Sequence, residues 1–129
     1  MLLTTMIFAG IAAAIHVYIF VLESLRWDRP STRRAFGIKT DAEASATKPL
    51  AFNQGFYNLF LAVITVAGMA LVLASSTTAG ATLIFAGAGS MVAAGLVLLL
   101  SSPKLARAAL FQLTAPALAI IFGLLAFTR

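Results

Sequence analysis

Residues 2–25 read LLTTMIFAGIAAAIHVYIFVLESL, a stretch in which only His16 and Glu23 have acid/base side chains of the carboxyl or imidazole kind. At a rise of about 1.5 Å per residue, about 20 apolar residues cross a hydrocarbon core about 30 Å thick, so this segment is long enough to span a membrane as a helix. It has no basic leader, and its apolar run continues well past the 7–15 residues or so of a signal-peptide core, so it is expected to stay in the membrane. Three further segments have the same character, near 49–74, 81–101 and 105–128. They are continuously apolar and rich in Ala and Leu, without the alternating polarity of a membrane barrel.

The remainder of the sequence agrees. Of 129 residues, 61% are hydrophobic and 10% charged, well above the roughly 45–50% apolar share of a soluble domain. A fold this small exposes much of its chain, and a chain this apolar requires lipid as its solvent. The expected fold class is all-α: an integral membrane four-helix antiparallel bundle, one domain over 1–129. The short links Ser75–Gly80 and Ser102–Lys104 enforce antiparallel neighbours. There is no cysteine, which excludes disulfides and thiolate metal sites. One histidine and one intramembrane glutamate leave a zinc or iron site short of ligands, so neither metal nor cofactor is expected.

Charge sets the expected orientation. Nine of the thirteen charged residues lie between Arg26 and Lys48. Arg26, Arg29, Arg33, Arg34, Lys39 and Lys48 fill this loop, Lys104 and Arg107 flank the third link, and Arg129 alone marks the other side. Cytoplasmic flanks carry the excess of Lys and Arg, which predicts an inner-membrane protein with loops 26–48 and 102–104 cytoplasmic and both termini outside. The net charge of +5 is therefore a topology signal; without interleaved aromatics it is not a nucleic-acid patch, and membrane lipids are the expected partners. Within the loop, Asp41 is a candidate N-cap for a short helix over 42–46 that Pro49 ends or hands over to the second span.

Polar groups inside the spans are few and costly, on the order of 2.5–3.5 kcal/mol for an ionised side chain at a helix centre. His16, Glu23 and Trp27 are seven and four residues apart, which puts them on one helical stripe. His16 and Glu23 are then about 10 Å apart along the axis, within reach of one bound molecule. The second span opens with Asn53-Gln54-Gly55-Phe56-Tyr57-Asn58, whose polar groups cover too wide a face for one neighbour. Gly55 allows a close approach of backbone or ligand. Gln112 lies about 12 Å in from Lys104, and Pro116, four residues on, frees its carbonyl.

These residues converge in one half of the bundle from three helices. Interhelical glue, at about 0.6 kcal/mol per hydrogen bond, is the bland reading of the amides. His16 and Glu23 are candidate catalytic acid/base groups, and Trp27, Asn53, Gln54, Tyr57, Asn58 and Gln112 candidate ligand-binding groups. Trp27 also fits an interfacial aromatic belt. In the third span Ala86, Gly87, Gly89, Ser90, Ala94 and Gly95 suit close helix packing or a homodimer face.

His16, Glu23 and Trp27, followed by Phe36-Gly37 and Asn53 to Asn58, resemble a family of small bacterial four-helix membrane proteins of unknown function, some of whose members bear the label "epimerase". The resemblance implies the four-helix fold and singles out the same polar residues. Three functions compete: binding or acid/base isomerisation of a small lipophilic molecule, proton-coupled transport, and a structural or accessory role.

Overall fold

The computed structural model describes residues 1–128; Arg129, the single base expected on the far side, lies outside them. Four long helices span the molecule. α1 (Leu2–Phe20) continues into a π-helical turn at Val21–Leu25. A short α2 (Pro30–Ala35) follows, then α3 (Asp41–Leu73), α4 (Thr77–Ser101), a 3₁₀ turn at Pro103–Leu105 and α5 (Ala106–Phe127). No strand occurs among the described residues. All four long helices are apolar enough to cross a membrane. This is the all-α membrane bundle expected from the sequence.

α1, α3, α4 and α5 form a ring in which α1 packs on α3 and α5, α3 on α4, and α4 on α5, while the diagonals scarcely meet. Small residues line the contacts: Ala9, Ala12, Ala62, Ala88, Ala109 and Ala119 are almost wholly buried. In lipid, helices gain nothing by hiding apolar area from each other, so close packing of small side chains is what holds them. Gly68 and Gly80 give the closest crossing: a Cβ on Gly80 would lie 2.7 Å from the Gly68 carbonyl oxygen. Ile84 and Met91 fill what remains of the core away from the basic loop. Gly87 and Gly95 are likewise taken up inside the bundle, against Thr65 and Leu113, while Ala86 and Ser90 stay on the exposed face of α4.

The loop after α1 is folded. Gly37, at φ 71°, ends α2 in a Schellman turn, with Ile38 N–H donating to the Arg33 carbonyl at 2.9 Å and Gly37 N–H to that of Arg34 at 3.3 Å. The chain then enters α3 eight residues earlier than the expected start at 49. Thr40, not Asp41, is the N-cap: its hydroxyl accepts from Glu43 N–H at 3.1 Å, and the Glu43 carboxylate accepts from Lys39 N–H at 2.9 Å, a variant of the capping box. Pro49 does not break the helix. The carbonyl it leaves unpaired is that of Ser45, which is exposed. The expected loop helix and the second span are thus one rod, and α4 also begins four residues before its expected start at 81.

Candidate functional site

At the end that carries the basic residues, the Ala-lined packing gives way to a cavity of about 840 Å³. Every element packed around that end contributes: α1 and its π turn, α2, α3, α4, the 3₁₀ turn and α5. Its size falls within the roughly 300–1,000 Å³ of small-molecule sites.

His16 is 1% exposed and lines this cavity. Its Nδ1 lies 2.9 Å from the Ala12 carbonyl, one turn back. A carbonyl only accepts, so Nδ1 carries a proton and Nε2 is left as an acceptor. Nε2 makes no hydrogen bond among the described residues.

Glu23 sits in the π turn, a one-turn widening of the helix of the kind found frequently at functional sites. Its carboxylate accepts from Asn58 Nδ2 at 2.9 Å, and the same amide reaches the Gln54 carbonyl at 3.2 Å. The turn is pressed against α3 at Gly55, where a Cβ would lie 3.1 Å from that of Glu23 and 2.1 Å from Ser24 Oγ. Ser24 Oγ donates to the Phe52 carbonyl at 2.8 Å and closes this contact. Gly55 therefore meets backbone, one of the two partners its small size suggested.

Of the residues proposed from sequence, His16, Glu23, Gln54, Asn58 and Gln112 line the cavity together. Asn53 and Tyr57 do not: they lie on the exposed side of α3, where Phe56 and its neighbours Phe52 and Phe20 form an aromatic cluster at centroid spacings of 5.1 Å. Trp27 is also outside it. The α-helical stripe that would align it with Glu23 ends at Arg26, whose φ of −130° turns the chain away. Trp27 is instead buried, 5.2 Å from Phe36 between ring centroids, with its indole N–H donating to the Ala44 carbonyl at 3.1 Å. It pins the loop to α3, and Phe36, on its other side, is a cavity wall.

Arg34, Lys104, Arg107 and Phe111 line the cavity as well, and sequence reasoning had assigned the three bases to topology alone. Arg107 and Phe111 are one helical turn apart, the one local signal that could have found them. Among the described residues there is no cluster of metal-ligating side chains.

Residues 10–124 match the family described as Protein of unknown function (DUF1304). The chain belongs to this family. The match covers α1 from Gly10 onward, the whole basic loop and nearly all of α5, so the cavity lies entirely within it. Neither the curated proteins nor the solved structures contain a match to the chain.

Proposed function

We propose that this membrane protein binds a small lipid-like molecule in the cavity at its basic end, and that Glu23 and His16 can move a proton on that molecule. The observation that carries the reading is a cavity large enough for a ligand, with titratable groups and amides at its polar surface and apolar walls around them. Glue alone calls for paired polar groups; here His16, which lines the cavity, has no hydrogen-bond partner at Nε2 among the described residues. Glu23 and His16 are of the type that removes a proton from a carbon next to a carbonyl and returns it, which is isomerisation without a redox cofactor, while Gln54, Asn58 and Gln112 orient the substrate. The basic end is the side expected to face the cytoplasm.

Transport is the weaker reading. It needs a path to the other face, and there Ala9, Val72, Ile84 and Ala119 close the bundle around the Gly68–Gly80 crossing.

Native mass spectrometry of the protein released from bacterial membranes tests the proposal. The wild type is expected to retain a molecule that His16→Ala and Glu23→Gln lose while Trp27 emission stays that of the folded loop. Equal retention by all three proteins refutes it.

A further inference from the structure

Building on that reading, we infer that the cavity takes an amphiphile with an anionic head, a phosphate or carboxylate, held at the mouth by Arg34, Lys104 and Arg107, with its apolar part between the helices. The charge inventory of the chain leads there. It has four carboxylates. Asp41 pairs with Arg33 and Asp28 with Lys48. Glu43 is spent on the capping box and Glu23 is held by Asn58. None of the four pairs with Arg34, Lys104 or Arg107, and none of these three bases forms a salt bridge among the described residues.

These three bases come from three separate elements, α2, the 3₁₀ turn and α5, yet all line one cavity. A positive-inside signal needs bases near the span ends and is indifferent to whether they share a cavity. Convergence on one rim gives an anion charge-assisted hydrogen bonds from several directions, and Arg presents a fork that matches carboxylate or phosphate oxygens. Below the rim the walls are apolar, with Ile19, Leu22, Leu98 and Phe111 among them, which suits a chain. The polar floor follows: Gln112 lies about 8 Å along α5 from Arg107, so the charged head and that amide would be about that far apart.

The test uses the full chain in nanodiscs of phosphatidylcholine. Lysophosphatidic acid, monoacylglycerol of the same chain and inorganic phosphate are titrated, and emission of the single Trp27, which packs on the cavity-wall residue Phe36, reports occupancy. Lysophosphatidic acid is expected to bind at least 10-fold tighter than monoacylglycerol. The combined substitution Arg34→Gln, Lys104→Gln, Arg107→Gln should abolish this preference by weakening lysophosphatidic acid binding at least 10-fold more than monoacylglycerol binding. Removing Arg26 and Arg29, bases outside the cavity, should not; if it does so equally, recruitment by general surface charge is the cause and the inference fails. Equal affinity for the charged and neutral amphiphiles overturns the anionic head while leaving the binding cavity in place. Binding of inorganic phosphate as tight as that of lysophosphatidic acid overturns the amphiphile, the site then taking a soluble anion. If none of the three binds, the cavity reading falls with it.

Discussion

Gly55→Ala should loosen the candidate site without touching any group that could meet a ligand. Its new Cβ would stand 2.1 Å from Ser24 Oγ, 3.0 Å from Ser24 N and 3.1 Å from Glu23 Cβ. The hydroxyl can rotate away, but it then gives up the 2.8 Å bond to the Phe52 carbonyl, a loss of about 0.5–1.5 kcal/mol. The other two atoms belong to the π turn itself and cannot rotate, so the turn and α3 must part by a few tenths of an ångström. Overpacking of this kind costs about 1–3 kcal/mol, which brings the total to about 1.5–4.5 kcal/mol. Unfolding in mixed micelles titrated with SDS, followed by helicity and Trp27 emission, measures it. Ser24→Ala alone should cost about 1 kcal/mol, and because it removes the nearest obstacle, the double variant should cost less than the sum of the two by about 1 kcal/mol. If Gly55→Ala is as stable as the wild type, or the two changes simply add, the π turn is not clamped there and the account of how Glu23 is positioned is wrong.

Other substitutions probe the rest of the frame. Trp27→Phe keeps the ring contact with Phe36 but loses the donor to Ala44, and thermal unfolding should show a loss of about 0.5–1.5 kcal/mol; no change would mean that this hydrogen bond does not pin the loop. Ser75 holds a φ of 66° in the turn between α3 and α4, a conformation that costs an L-residue roughly 1–2 kcal/mol, so Ser75→Gly should raise the unfolding midpoint, and a lower one would count against the turn. The chain has no cysteine, so Ser45→Cys and Ser76→Cys are clean topology probes. An impermeant maleimide should label position 76 in intact cells and position 45 only after the membrane is opened; the reverse pattern would invert the orientation.

The four spans were legible because lipid selects for length and apolarity, and both are written in the sequence between 2 and 128. Their ends were less so. Pro49 reads as a boundary, yet the carbonyl it frees, that of Ser45, is exposed, and the Thr40–Glu43 cap starts the helix earlier. For the site, the depth of each polar residue along its helix brought His16, Glu23, Asn53, Gln54, Tyr57, Asn58 and Gln112 to one half of the bundle, and all but Asn53 and Tyr57 line the cavity. Angle was the weaker coordinate. A stripe of seven and four residues assumes an unbroken α-helix, and the π turn with the break at Arg26 removes Trp27 from it. The wide polar face of α3 contained both answers, Gln54 with Asn58 at the cavity and Asn53 with Tyr57 away from it, and only the placement of neighbouring helices chooses between them. The three rim bases were invisible as a group because they meet only once the loop has folded back over the bundle.

The 33 residues of α3 make a rod about 50 Å long, against a hydrocarbon core about 30 Å thick. Its surplus lies at the end where Asp41, Ala44 and Lys48 anchor Arg33, Trp27 and Asp28. The same rod carries Gln54 and Asn58, so the folded loop and the cavity wall are fixed at one spacing by covalent and helical geometry. A thicker or thinner bilayer can tilt this rod or deform around it, but it cannot change how far the loop's anchor points at Asp41, Ala44 and Lys48 stand from Gln54 and Asn58. The folded loop keeps its own height, and it is the surrounding lipid that has to adjust to reach it.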